Sequence, residues 1–192
     1  MKIFVTRHGE TDWNIKHTNY KSSNNKDNIN VTDDDFISIN NTGIEQANQL
    51  FEKIKDIHID FVICSPLYRA KQTAEIIVKD RNIPIIYDKA ISVRELGEYK
   101  GKNPDVDFDF SHGFWSYKAN INYEKAENIR DFFKRVYTFL DEIQQKYKDK
   151  NVLLVTHGSI AIPIYCYFNE IPKDDDLLKY VLKNCEIVGY ET

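Results

Sequence analysis

The sequence predicts an α/β protein, a three-layer α/β/α sandwich with a mainly parallel central sheet. Three observations carry this expectation. Short apolar runs alternate with stretches of helical period along the 192-residue chain, as in strands joined by crossover helices. Two of the runs, Ile3-Phe4-Val5 and Val152-Leu153-Leu154-Val155, read as buried strands. Each then enters a related turn, Thr6-Arg7-His8-Gly9 in one case and Thr156-His157-Gly158 in the other. Two strands that end alike in a parallel sheet bring two histidines to one sheet edge.

In chain order, Lys2 to Thr6 is the first predicted strand. Thr42-Gly43-Ile44-Glu45 reads as a capping box, followed by Ile44, Ala47, Phe51 and Ile54 at helical spacing. Phe61-Val62-Ile63-Cys64 is the second strand. Ser65-Pro66 supplies an N-cap and a first-turn proline for a helix whose inner face is Ala70, Thr73, Ala74 and Ile77. Ile83 to Tyr87 is the third strand. The longest helix spans Glu124 to Tyr147, with Ile129, Phe132, Phe133, Val136, Phe139, Leu140 and Ile143 as its stripe. Asn151 to Val155 is the fourth strand. A helix from Ser159 to Phe168, bent at Pro163, and an edge strand from Glu186 to Tyr190 complete the chain.

Two segments lack this periodicity. Tyr20 to Asn41 is rich in Asn, Asp, Ser and Lys and reads as a long mobile loop. Asn103 to Tyr123 holds Phe108, Phe110, Phe114, Trp115, Tyr117 and Tyr123 and reads as a small lid. Its aromatics would form the core of a small subdomain, with one or two over a ligand. No linker divides the chain, so residues 1–192 are expected to form a single domain carrying a lid around 103–123.

Composition narrows the function. Hydrophobic residues make up 42% of the chain and charged residues 29%, as in ordinary globular proteins. The net charge is −4, so no global basic field draws nucleic acid or anionic membrane, and any anion site must be local. Cys64, Cys166 and Cys185 form no metal-binding or paired pattern. They suit a reducing compartment. The first residues read as a strand, with no signal-peptide pattern. A cytoplasmic enzyme without nucleic-acid or membrane partners is expected.

Ligands of a parallel α/β sheet bind beyond the carboxyl ends of its strands. Those ends carry Arg7-His8, then Ser65 with Arg69 a helical turn later, and His157-Gly158. Alone, each histidine reads more readily as structural. Together the set offers two guanidinium groups and two imidazoles, which suits a phosphoryl dianion.

Four ordered segments carry a family resemblance. They are Arg7-His8-Gly9-Glu10-Thr11-Asp12-Trp13-Asn14, the run Ser65-Pro66-Leu67-Tyr68-Arg69-Ala70-Lys71-Gln72-Thr73-Ala74, then Arg94-Glu95-Leu96-Gly97-Glu98-Tyr99-Lys100-Gly101, and Thr156-His157-Gly158. In these the chain resembles the histidine phosphatase superfamily, the phosphoglycerate mutase-like clan. The resemblance implies a phosphoglycerate mutase-like fold and a phosphomonoester hydrolase that needs no metal and no cofactor. It implies that His8 is the nucleophile and becomes a phosphohistidine. Arg7, Arg69 and His157 would bind the phosphoryl oxygens, with Asn14 as an auxiliary contact. Glu95 would protonate the leaving oxygen and later take a proton from water. His8 must then be unprotonated at its attacking nitrogen, with the other nitrogen donating to a fixed acceptor. Glu95 needs burial or a neighbouring carboxylate, with Glu98 the candidate.

The chain departs from the family pattern after Asn14, where Lys16-His17-Thr18-Asn19 and the polar loop replace an Arg-x-x-Gly segment. A Gly-Glu-Ser element usual before the long helix is missing, with Glu127 standing near its place. The stretch from Glu95 to His157 is compact. Mutases of the clan carry a longer insertion that excludes water, so hydrolysis of a small phosphorylated metabolite is favoured. The alternatives are a phosphoglycerate mutase-type transferase and a low-turnover protein that binds a phosphorylated ligand.

Overall fold

The computed structural model describes residues 1–19, 36–100 and 113–192. Five strands form one sheet in the order β3-β2-β4-β1-β5. They are β1 (Lys2–Arg7), β2 (Phe61–Cys64), β3 (Ile85–Tyr87), β4 (Asn151–Thr156) and β5 (Ile187–Glu191). β1, β2, β3 and β4 run parallel, and β5 pairs with β1 antiparallel at the edge.

Both faces of the central strands are covered, which is why their sequences are apolar without alternation. Val152 and Leu154 of β4 face one layer, in a core with Ile3, Val5, Ile63 and the helices α4 (Ile129–Lys146) and α5 (Ala161–Phe168). Leu153 and Val155 face the other, with α2 (Asn41–Ile54) and α3 (Tyr68–Ile77). All four β4 side chains are completely buried, each stabilising the sandwich by about 2 kcal/mol. The three-layer α/β/α architecture is therefore the observed one.

The α4 stripe is buried at every expected position. The helix starts later than expected, because Asn128 caps it by accepting from Arg130 N. The inner face of α3 also matches. The face of α2 matches at Ala47 and Ile54 and departs at Ile44 and Phe51. Its buried residues are Gly43, Ala47, Leu50 and Ile54, while Ile44 is exposed and Phe51 lies under Lys79 Nζ. Gly43 sets this rotation, since a Cβ there would stand 2.2 Å from the Glu10 carbonyl oxygen. The cap is Asn40, not Thr42; its side chain accepts from Gly43 N.

Three further boundaries shift for local reasons. β3 starts after Pro84, whose carbonyl accepts from Val62 N but which has no N–H to give. Pro163, read from the sequence as a bend, falls in the first turn of α5, where its missing N–H costs no helical hydrogen bond. A helix the sequence reading did not place, α1 (Asp12–Asn19), follows the first turn. Thr11 and Asn14 cap it reciprocally, Thr11 Oγ1 accepting from Asn14 N and Asn14 Oδ1 from Thr11 N.

The predicted loop is described from Phe36 onward and the predicted lid from Gly113 onward; Phe108, Phe110 and the rest of both lie outside the described residues. Phe114 and Trp115 do not form a separate core. They are buried in the main one, edge-on to each other and beside Phe132 of α4.

Candidate active site

The register of the parallel strands places three strand ends together, with Arg7 opposite Thr156 and Cys64 opposite Val155. Main-chain bonds continue past these ends. His8 N donates to Thr156 O and Ser65 N to Val155 O. The His8 and His157 rings meet edge to face, with centroids 5.2 Å apart. The two histidines that end β1 and β4 are therefore neighbours, as their sequence parallel predicts.

His8 is almost completely buried, and its Nδ1 lies 2.7 Å from Gly9 O. A carbonyl only accepts, so Nδ1 carries the proton and Nε2 keeps its lone pair. Burial, then Arg69, then Arg7, hold His8 well below its ordinary titration range. The ring is thus neutral at neutral pH, with the Nε2 lone pair unprotonated. His157 is depressed by burial and then chiefly by Arg69.

Ser65 acts on His157 rather than capping α3, which begins only after Leu67. Its buried Oγ lies 2.8 Å from His157 Nε2 and accepts from Leu67 N at 3.4 Å. Where that hydroxyl donates to His157 Nε2, the ring carries its proton on Nδ1. This Nδ1 and Arg7 Nε are buried and have no hydrogen-bond partner among the described residues. An oxyanion between them would satisfy both.

Arg7 Nη1 donates to Leu182 O, and Gly158 allows that approach, because a Cβ there would crowd Leu182 O and the Arg7 side chain. Burial and then Arg69 lower the Arg7 pKa. Arg69 is itself buried on α3. Thr73 ties that helix to the first turn, accepting from Gly9 N while donating to Arg69 O. The arginines and histidines thus form one buried cationic pocket that fits a phosphoryl dianion.

Asn14 stands at the rim, its Oδ1 accepting from Thr11 N and Asn184 Nδ2. Glu95 departs from expectation. It is exposed, and its Oε1 accepts from Leu96 N and Gly97 N. The Glu98 carboxylate is engaged by Lys125 at 2.7 Å. Neither burial nor Glu98 therefore supplies the environment expected for a proton donor. The turn after Glu95 is held by Gly97, whose φ of +56° and contact with the 124–126 backbone exclude other side chains. Glu127 takes no place in the pocket; it is paired with Arg135 at 2.8 Å.

Three supporting residues escaped the sequence reading. Asn184 donates to His8 O, and nothing near it in sequence marks that role. Thr73 and Arg94 lie inside the motif segments. Arg94 is 1% exposed, donates to Glu127 O and Phe114 O, and lies 3.7 Å over the Phe114 ring. Burial pulls its pKa down to about 10. It anchors the backbone from which Glu95 projects.

Burial pushes the thiols up, to about 12 for Cys64 and Cys185 and about 11 for Cys166. They have little nucleophilic character. Among the described residues, no group of three or more His, Cys, Asp or Glu side chains is placed to hold a metal ion. No helix among them is long and apolar enough to cross a membrane.

Comparison with known proteins agrees with this geometry. Residues 3–192 match the family model of the histidine phosphatase superfamily (branch 1). An uncharacterized phosphatase PhoE of Bacillus subtilis is 32% identical over 177 residues, covering 92% of this chain and 80% of the relative. Phosphoglycerate mutase-like protein 4 of Arabidopsis thaliana is 28% identical, over 85% of this chain and 69% of its own length. The solved structure of YhfR from Bacillus stearothermophilus superposes with a TM-score of 0.80 at 23% identity, covering 99% of this chain and 90% of that one.

Proposed function

The chain belongs to the histidine phosphatase superfamily, and on that footing we propose that it hydrolyses a small phosphomonoester through a phosphohistidine on His8. The observation that carries this reading is the pairing of His8 and His157 at 5.2 Å in a buried pocket shared with Arg7 and Arg69.

In the first step His8 Nε2 attacks phosphorus. The N–P bond forms as the bond to the leaving oxygen breaks, and Glu95 gives that oxygen a proton. Positive charge then appears on the His8 ring, and the Nδ1–H bond to Gly9 O helps to hold it. Arg7, Arg69 and His157 Nδ1 bind the three spreading oxygens, and Asn14 supports them at the rim. In the second step water attacks phosphorus and the N–P bond breaks. The water proton passes to Glu95, and inorganic phosphate leaves. The exposure of Glu95 supports hydrolysis over retention of the phosphoryl group, since water reaches the group that activates it. In this scheme the substrate's own phosphoryl charge is the negative charge beside Glu95.

No metal or cofactor enters this scheme, because the guanidinium groups provide the positive charge. We place the protein in the cytoplasm, without nucleic-acid or membrane partners, a reading its free thiols support. Residues 1–192 act as one domain in this scheme. The test is turnover of p-nitrophenyl phosphate with and without EDTA. Equal rates are expected; loss of activity with EDTA overturns the metal-free scheme, and activity that requires priming by a bisphosphate favours the mutase alternative.

A further inference from the structure

Beside the phosphoryl pocket lies an open cleft of about 510 Å³, with Glu95 on its wall. Tyr68 and Lys71 line it from α3, on either side of Arg69 in sequence. Lys89 lines it from the segment after β3, and Phe36 and Lys100 line it as well. It therefore adjoins Glu95, which gives the leaving oxygen its proton in the scheme above, and a leaving group served by Glu95 would enter it.

The lining has two chemical characters. Tyr68 is 45% exposed and Phe36 73% exposed, a large share for aromatic side chains. Three lysines face a single carboxylate, in a chain whose net charge is −4. None of the three forms an ion pair with a carboxylate among the described residues. Lys71 Nζ is held 5.0 Å above the Tyr87 ring, which fixes its direction without neutralising it. The phosphoryl group is already served by Arg7 and Arg69, so the lysine charge is left for a second anion.

Resting on the phosphatase reading above, we propose that this cleft selects a leaving group with a flat apolar part and an anionic group of its own, a carboxylate or a second phosphate. The apolar part lies against Tyr68 and Phe36, and the anion between Lys71 and Lys89. The product alcohol leaves with both parts unchanged.

The experiment compares kcat/KM for 3-carboxyphenyl phosphate and 3-phosphonophenyl phosphate with that for the uncharged 3-carbamoylphenyl phosphate. At low ionic strength the wild type is expected to favour the anionic esters by about tenfold. That preference shrinks at about 0.5 M salt, and it falls to near parity in the Lys71→Gln/Lys89→Gln double variant. The larger of the two preferences identifies carboxylate or phosphate as the anion. Turnover of all three esters without a charge preference, or a preference that survives in the double variant, overturns the proposal alone. Failure to turn over any of them removes the phosphatase reading and this proposal with it.

Discussion

His8, Arg69 and His157 are 3%, 7% and 3% exposed and stand where strands end or in the turn that follows, whereas Glu95, Tyr68 and Lys89 stand open to solvent. On the phosphoryl side each functional group is held by a second residue: Gly9 O fixes His8, Ser65 fixes His157, and Thr73 joins the Arg69 helix to the first turn. On the leaving-group side, the Glu95 carboxylate is met, among the described residues, by the two backbone amides that follow it. The phosphoryl group is common to every phosphomonoester, so a rigid site serves all of them. The leaving group is what distinguishes substrates, and the residues that meet it are the less constrained ones.

The largest effect should come from breaking the rigid side. His8→Ala is expected to lower kcat by at least about 10⁴-fold, because it removes the nucleophile of the proposed scheme. Full turnover of p-nitrophenyl phosphate by that variant would contradict the assignment. Removing the proton donor should act selectively. Glu95→Gln is expected to cost about 10²-fold on an alkyl phosphate and much less in the leaving-group step for p-nitrophenyl phosphate, whose phenolate departs unaided. Equal losses in that step would remove Glu95 as the acid.

A smaller effect tests the supports. Ser65→Ala frees His157 to take the other tautomer, so kcat should fall about tenfold with KM little changed; a threonine in its place should recover most of the loss. The smallest effect is on stability. Both pocket histidines are held well below their ordinary values by burial and the arginines. As pH falls below about 6.5, the unfolded chain takes up protons that the folded one refuses. Stability present above pH 6.5 is therefore lost on acidification, by at most about 1.4 kcal/mol per pH unit for each histidine. Urea unfolding at pH 7.5 and 5.5 measures this slope, and His157→Asn should reduce it.

The rigid side was also the legible one. Strand ends in a parallel sheet converge by topology, so Arg7, His8, Arg69 and His157 could be brought together from sequence order alone. The stripe of α4 was legible for a similar reason, since one face of a long helix must be buried. What escaped reading depends on contacts between distant segments. The rotation of α2 follows from the close approach of Gly43 to Glu10, and Asn184 reaches His8 O from the far end of the chain. The surroundings of Glu95 are another case, because its backbone is tied to a distant segment through Glu127 N, which donates to Glu95 O. The Thr11–Asn14 cap of α1 was visible in the residues and was missed, being an asparagine variant of the usual box.

The central claim is that a phosphoryl group passes through His8 Nε2, and Glu95→Gln is the variant that exposes it. With p-nitrophenyl phosphate the first step needs little acid assistance, while hydrolysis of the phosphohistidine loses the group that activates water. Rapid mixing should release a burst of about one p-nitrophenolate per protein. A quenched sample should then carry one acid-labile, base-stable phosphoryl group on the peptide containing His8. The absence of a burst, or a phosphoryl group found on any other residue, would contradict the account.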